Sequence, residues 1–244
     1  LGVSLTGIMD CPAVYNATEE ELQWLKEMAV VANINLSADI GINQSAAVTC
    51  VKPSGTVSQL VDAASGIHAR HNDYFIRTVR GDNKDPLTEF MRDKNVPKEP
   101  DFTSPDSVTV FSFPMKSPDN AVCRNDMSAL EQLELWLKVA DNYCEHKPSV
   151  TISVKEHEWL EVGSWCWDHF ESLSGISFLP FSEHTYKQAP YQDIDKNMYL
   201  DLSTKMPLSI DWDELQQYEK GDTTTGTQEL ACTGGVCEIV DIGA

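Results

Sequence analysis

Two cysteines near the end of the chain, Cys232 and Cys237, have the spacing of a redox pair. Four residues separate them, and two of the four are Gly234 and Gly235. A disulfide needs its Cα atoms within about 7 Å, and a glycine-containing spacer of this length can turn that tightly. The run before the pair, residues 219–228, is polar, lacks apolar periodicity and reads as a tether. Ten such residues reach roughly 30 Å when extended. A tethered dithiol can carry electrons between two places by thiol–disulfide exchange. Three other readings compete with this one. A zinc site would need two further ligands at metal-like spacing, and no second short Cys or His pair stands nearby. Incidental thiols and a structural disulfide are the remaining two. The other cysteines, Cys11, Cys50, Cys123, Cys144 and Cys166, are scattered and read mainly as small buried hydrophobes.

A second candidate is the run Lys52-Pro53-Ser54-Gly55-Thr56-Val57-Ser58. It falls between an apolar stretch and a helical pattern. The start of a helix offers unpaired N–H groups and a positive dipole end, which suit phosphate. Gly55 allows close backbone approach, Ser54 and Thr56 add hydroxyls, and Lys52 adds charge. The run is neither a Walker loop nor a Gly-x-Gly-x-x-Gly fingerprint. Ser and Thr also cap helices for purely structural reasons. A third candidate is 68–80, where Arg70, Arg77 and Arg80 are accompanied by one acid, Asp73. It reads either as a site for a small anion or as structural ion pairs.

The elements that must hold these groups follow from periodicity. Thr18 with Glu21 and Ser128 with Glu131 form capping boxes. The first opens a helix carrying Leu22, Leu25, Met28, Ala29 and Ala32. The second opens one carrying Leu130, Leu133, Trp136, Leu137, Ala140 and Cys144. Strands are expected at 45–51, 108–113, 150–154 and 175–179, and helices from Thr56 and over 156–171. Val57, Leu60, Val61 and Ala64 would form one face of the helix from Thr56. Alternation of strand and helix indicates an α/β class. Residues 82–106, rich in Pro, Asp and Lys, read as a surface excursion.

The chain has 244 residues, 41% hydrophobic, enough for one sizeable core or two small ones. Its net charge of −20 argues against broad nucleic-acid binding, which needs clustered Lys and Arg. No apolar run reaches the ~18 residues that span a membrane. Seven unpatterned cysteines fit a reducing cytoplasm. The opening Leu1-Gly-Val-Ser-Leu-Thr-Gly-Ile-Met9 is apolar and lacks an initiator Met, so a longer parent protein is expected.

Several motifs in order give a resemblance. Val51 to Asp62, Ser65-Gly-Ile-His68 and Tyr74-Phe-Ile-Arg77 closely resemble the adenosylcobalamin-dependent (class II) ribonucleotide reductases, and among them the monomeric ribonucleoside-triphosphate reductases. Pro148 to Ile152, Glu158 to Val162, Ser177 to Pro180, Gln188 to Tyr191 and the terminal cysteine pair are similar too. Leu1 to Asp10 resembles the helix start that follows the catalytic loop of ribonucleotide reductases generally. The resemblance implies the C-terminal part of a ten-stranded α/β barrel over 1–218 and a flexible redox tail over 219–244. It implies that Pro53, Ser54, Gly55, Thr56, Val57 and Ser58 hold the substrate's phosphates. It implies that Cys232 and Cys237 pass electrons from a thioredoxin-like protein to an active-site disulfide. The implied cofactor is adenosylcobalamin, which generates a protein thiyl radical. Its expected contacts are Gly66, His68, Arg70, His71, Tyr74, Arg77, Arg80, Tyr186, Pro190 and Tyr191. The implied reaction converts ribonucleotides to 2′-deoxyribonucleotides in the cytoplasm.

The chain also departs from that family. It has no Asn-x-Cys-x-Glu loop for the thiyl cysteine, and the N-terminal half with the allosteric site is missing. Activity is therefore expected only with the missing polypeptide. Asp-x-His-x-x-Gly is absent as well, which argues against His68 as a cobalt ligand, and no metal ligand is assigned. Two alternatives remain. One is a large-subunit fragment of the oxygen-dependent class, which usually reads Pro-Thr-Ala at the phosphate turn. The other is a non-enzymatic nucleotide-binding or redox-carrier domain.

Overall fold

The computed structural model describes residues 2–181 and 186–219. In chain order the elements are β1 (Val3–Ser4), α1 (Pro12–Tyr15), α2 (Glu19–Ile40), β2 (Thr49–Cys50), α3 (Val57–Leu60) and β3 (Tyr74–Asp82). Then follow α4 (Pro86–Asp93), β4 (Lys98–Pro100), β5 (Val108–Lys116), α5 (Ala129–Asn142) and β6 (Val150–Val154). The last are α6 (Trp159–Asp168), β7 (Ile176–Pro180), β8 (Tyr191–Asp193) and α7 (Lys196–Lys205). The chain divides into two units, Leu1–Arg70 with Pro118–Ser182 and His71–Ser117 with Glu183–Ala244.

The first unit is α/β. Its β1 and β2 pair in parallel, and so do β6 and β7, with α6 as the crossover between the second pair. Both long helices start where their caps require. Thr18 N–H donates to Glu21 Oε2 at 2.8 Å, and Glu21 N–H returns to Thr18 Oγ1 at 3.2 Å. Ser128 and Glu131 repeat the arrangement at 2.7 and 3.1 Å. Gly41, at φ 68°, ends α2 in the left-handed region that glycine tolerates. One core joins Ile8, Leu22, Val51, Leu133, Trp136, Tyr143 and Ile152, each almost fully buried.

The second unit is an antiparallel sheet in the order β4-β5-β3-β8. A nine-pair ladder joins β3 to β5, from Tyr74 opposite Lys116 to Asp82 opposite Val108. Phe75, Ile76, Phe90, Val96, Val110, Phe111 and Ala189 are among its buried apolar residues.

Several expectations need correction. No closed barrel forms among the described residues; the parallel strands come as two separate pairs. The strand expected at 45–51 shrinks to Thr49–Cys50. Asn33 holds Ser45 by its N–H (2.9 Å) and its hydroxyl (3.0 Å), which takes Ser45 out of any ladder. The helix from Thr56 lasts one turn, and Val57, Leu60 and Val61 point outward. The strand expected at 108–113 runs on to Lys116 and pairs antiparallel to β3, so it does not extend a parallel α/β order. Residues 82–106 are not merely a surface excursion. Asp85 caps α4 by accepting from Leu87 N–H at 3.0 Å, and Phe90 and Val96 are buried. The helix expected over 156–171 is broken into α6 flanked by 3-10 turns at Glu156–Glu158 and Phe170–Ser172. The opening segment begins as a strand rather than a helix.

Candidate functional site

The phosphate-turn candidate lies between β2 and α3. Lys52 N–H donates to Ser4 Oγ at 3.0 Å, and Ser54 N–H donates to Ser65 Oγ at 2.6 Å. Ser54 Oγ accepts from Ser58 N–H at 2.7 Å, and the Ser58 hydroxyl donates back to Ser54 O at 2.9 Å. Ser54 thus satisfies one of the amides that a helix start leaves open. The amides of Gly55, Thr56 and Val57 have no partner among the described residues. These three residues are exposed, and a Cβ at Gly55 would meet nothing within 4 Å. The turn therefore offers a run of outward amides on a backbone fixed from behind.

The fixing comes from the opening segment of the chain. Ala64 O accepts from Gly7 N–H at 2.7 Å and from Thr6 Oγ1 at 3.0 Å. Gly66 N–H donates to Thr6 Oγ1 at 3.0 Å, and Ala64 N–H donates to Asp10 Oδ2 at 2.6 Å. Gly66 sits at φ +57°, where a Cβ would lie 2.8 Å from Lys52 O. Only glycine lets the returning chain pass this close. Arg70 completes the clamp. Its Nε and Nη2 grip Asp10 at 2.9 and 2.8 Å, and Nη1 and Nη2 reach Asp62 Oδ1 and O at 3.3 and 2.7 Å. Burial alone would lower the Arg70 pKa, but bonding to Asp10 and the charges of Asp10 and Asp62 raise it.

His68 is held at both ring nitrogens. Thr151 N–H donates to Nε2 at 3.0 Å, so the proton sits on Nδ1, which donates to Ser65 O at 3.0 Å. Burial keeps its pKa below the usual histidine range. A neutral imidazole with two hydrogen bonds ties the segment after the candidate turn to β6.

The remaining cofactor candidates lie in the second unit, where β3 meets β8. Arg77 stands opposite Tyr191 in the ladder, its guanidinium 4.4 Å from the centre of the Tyr191 ring. His71 stacks on Tyr191 at 5.2 Å and approaches Asp193 Oδ1 at 2.9 Å. Arg80 is tied to Asp101 at 2.9 Å and to Gln188 O at 3.0 Å. Tyr74 packs on Tyr199, and Pro190 O accepts from Thr78 N–H at 3.0 Å. Tyr186 is exposed. The structure thus joins His71, Arg77 and Tyr191 in one cluster. Cys232 and Cys237 lie outside the described residues.

Burial raises the thiol pKa of Cys144, with Cys50 adding to the effect, to about 12, and burial also raises that of Cys166. Such thiols are poor nucleophiles. Among the described residues no cluster of His, Cys, Asp and Glu is placed to hold a metal ion. No described helix is long and apolar enough to cross a membrane.

Sequence reasoning missed the supporting residues. Thr6, Asp10 and Ser65 fall inside the motifs Leu1 to Asp10 and Ser65 to His68, but no local pattern assigns them the bracing of the turn, since their partners are up to 60 positions away. Gln188 is, in the sequence, only one residue of the motif Gln188 to Tyr191. It is buried at φ +59°, donates to Glu99 Oε1 and Pro100 O, and accepts from Phe102 N–H.

No family model matches the chain. Known relatives do. It is 28% identical over 243 residues to the adenosylcobalamin-dependent ribonucleoside-triphosphate reductase of Euglena gracilis, covering 97% of this chain and 33% of the relative. The enzyme of the same name from Lactobacillus gasseri is 26% identical over 221 residues, 88% of this chain and 29% of the relative. A probable enzyme of this kind from Dictyostelium discoideum is 30% identical over 208 residues, 82% of this chain and 26% of the relative. The chain therefore spans a third or less of the curated relatives it matches. A crystal structure of a B12-dependent (class II) ribonucleotide reductase shares the fold, with a TM-score of 0.76 over 92% of this chain and 35% of that one, at 23% identity. The chain is a distant homologue of part of the adenosylcobalamin-dependent, class II ribonucleotide reductases.

Proposed function

We propose that the chain is the C-terminal catalytic part of a cytoplasmic reductase that converts ribonucleoside triphosphates to 2′-deoxyribonucleotides. The observation that carries this reading is the turn 53–58, with three outward amides on a backbone braced from behind. Such a turn suits a triphosphate, because oriented amides at a helix start attract anions without moving. The homology supplies the rest of the reading. The parallel pairs β1–β2 and β6–β7 would be staves of a barrel that the remaining polypeptide completes.

Adenosylcobalamin, when bound, would supply the radical that starts the chemistry. Among the candidate contacts, Arg77 and Tyr191 fit it best. The guanidinium lies over the ring, and its N–H edge has no hydrogen-bond partner among the described residues, which suits the phosphate of the cofactor's nucleotide loop. His68, Arg70 and Arg80 are already held by protein partners, so their part would be to fix the surrounding backbone. Cys232 and Cys237 would return two electrons to an active-site disulfide, becoming a disulfide themselves. A thioredoxin-like dithiol would then reduce them.

The test uses the complete polypeptide. Turnover of ribonucleoside triphosphate with added adenosylcobalamin and a dithiol, and without a second subunit, is the expected result. A requirement for a separate radical-bearing subunit would transfer the chain to the oxygen-dependent class. Nucleotide binding without turnover would leave a binding domain.

A further inference from the structure

The side chain of His68 links two parts of the first unit that share no ladder. The turn 53–58 leaves β2, which pairs with β1, whereas β6 pairs with β7 in a separate sheet. Val150 N–H donates to Gly175 O at 3.0 Å, toward β7. Successive amides of a strand point to opposite edges. Thr151 N–H therefore points to the other edge of β6, and there His68 Nε2 accepts it at 3.0 Å. The same ring donates from Nδ1 to Ser65 O at 3.0 Å. Ser65 Oγ in turn accepts from Ser54 N–H at 2.6 Å. A series of three hydrogen bonds thus runs from the edge of β6 to the first amide of the turn. At its far end Ser54 is fixed twice, by its N–H on Ser65 and by its Oγ on Ser58 N–H. The outward amides of Gly55, Thr56 and Val57 lie between those two anchors.

We propose that His68 is a positioning residue for the anion site. It carries the place of β6 through Ser65 to Ser54 and so orients the three amides before the triphosphate arrives. This rests on the reading of the turn as the phosphate site. A ring held at both nitrogens keeps one orientation, and Ser65 O keeps its place with it. The imidazole is neutral, because Nε2 accepts from a backbone N–H. It therefore acts on an anion through geometry and not through charge. Donors that are already aimed need no reorganisation on binding, so affinity depends on the groups that aim them.

The test is titration calorimetry of the complete polypeptide with a ribonucleoside triphosphate, read on the binding event that Ser54→Asp weakens. Ser65→Ala and His68→Leu should each lower that affinity about fivefold, roughly the worth of one hydrogen bond. Because His68 acts through Ser65, the double variant should lose little more than either single one, against about 25-fold for independent effects. Leu133→Ala opens a cavity in the core but breaks no bond of the series. It should lower the melting temperature and leave the affinity unchanged. If His68→Leu does not fold, His68→Asn takes its place with the same expectation, since it keeps a donor for Ser65 O but is too short for Thr151 N–H. Parent-like affinity in the His68 variant, additive losses in the double variant, or an equal loss in Leu133→Ala would overturn the proposal and leave the turn as the phosphate site. If Ser54→Asp weakens no binding event, the reading of the turn fails and the proposal falls with it.

Discussion

Replacing Ser54 by Asp tests the phosphate turn with little risk to the fold. Ser54 Oγ accepts from Ser58 N–H at 2.7 Å, and Asp accepts as well as Ser at the start of a helix. The bond from the Ser58 hydroxyl to Ser54 O uses the backbone and survives. Stability should therefore stay within about 0.5 kcal/mol of the parent, whereas Ser54→Ala, which loses the cap, should cost about 1 kcal/mol. Binding behaves differently. Two unit charges 4 Å apart repel by about 1 kcal/mol in bulk water and about 4 kcal/mol at an effective dielectric of 20. Ser54 is half-buried beside exposed Gly55 and Thr56, so a penalty of roughly 2 kcal/mol is expected, about a 30-fold loss of triphosphate affinity. Ser54→Asn keeps the cap without the charge and should bind within a few-fold of the parent. Titration calorimetry with a ribonucleoside triphosphate and thermal melting, both on the complete polypeptide, give the two readouts. If the Asp variant binds like the parent, or if Asn loses as much as Asp, the turn is a structural cap and not a phosphate site.

Arg70→Met should destabilise the protein by about 3–5 kcal/mol, because it strands the largely buried Asp10 carboxylate; denaturant unfolding measures this. His68 gives a pH dependence of known sign. Its pKa is lowered in the folded state, so below about pH 6.5 the unfolded chain binds more protons and stability falls as pH drops, while above that pH the contribution is complete. Melting temperatures from pH 8 to 5 should show the decline in the parent and less of it in His68→Gln. Cys232→Ser or Cys237→Ser should abolish multiple turnovers driven by thioredoxin, while a small dithiol that enters the site directly still supports them. Parent-like thioredoxin-driven rates in both variants would end the shuttle idea.

The helices with reciprocal caps were legible because all their determinants are local. Thr18 with Glu21 and Ser128 with Glu131 set their helix starts to the residue. The β6–α6–β7 crossover was legible for a similar reason, since five-residue apolar strands flank one amphipathic helix. The β3–β5 ladder was not. Tyr74 to Asp82 carries Arg77 and Arg80 three apart among apolar residues, a spacing that breaks the period-two alternation of a strand, and so reads as a charge patch. The one-turn length of α3 was hidden because periodicity cannot report that Ala63 N–H turns back to Ser58 O and that Asp62 takes a positive φ of 49°. For the candidate turn at 53–58, the local residues are visible in the sequence. The clamp from Thr6, Asp10 and Ser65 depends on chain folding over tens of residues.

The basic patch shows how a composition signal is divided once the chain folds. Arg70, Arg77 and Arg80 look equivalent in the sequence, yet a guanidinium binds an external anion only with donors it has left. Arg70 makes four hydrogen bonds, two to Asp10 and two to Asp62. Arg80 directs Nε to Asp101 and Nη2 to Gln188 O, holding the turn that leads into β8. Arg77 instead lies over Tyr191, its guanidinium 4.4 Å from the ring centre and making no hydrogen bond to another described residue. Strand geometry accounts for part of the split. Arg77 and Arg80 are three apart on β3 and so project from opposite faces of the sheet. Arg80 meets the acid and the carbonyl on its side, while Arg77 meets the Tyr191 ring. Of the three arginine side chains, that of Arg77 alone makes no hydrogen bond to another described residue, and its place is set by the register that puts Tyr191 opposite it.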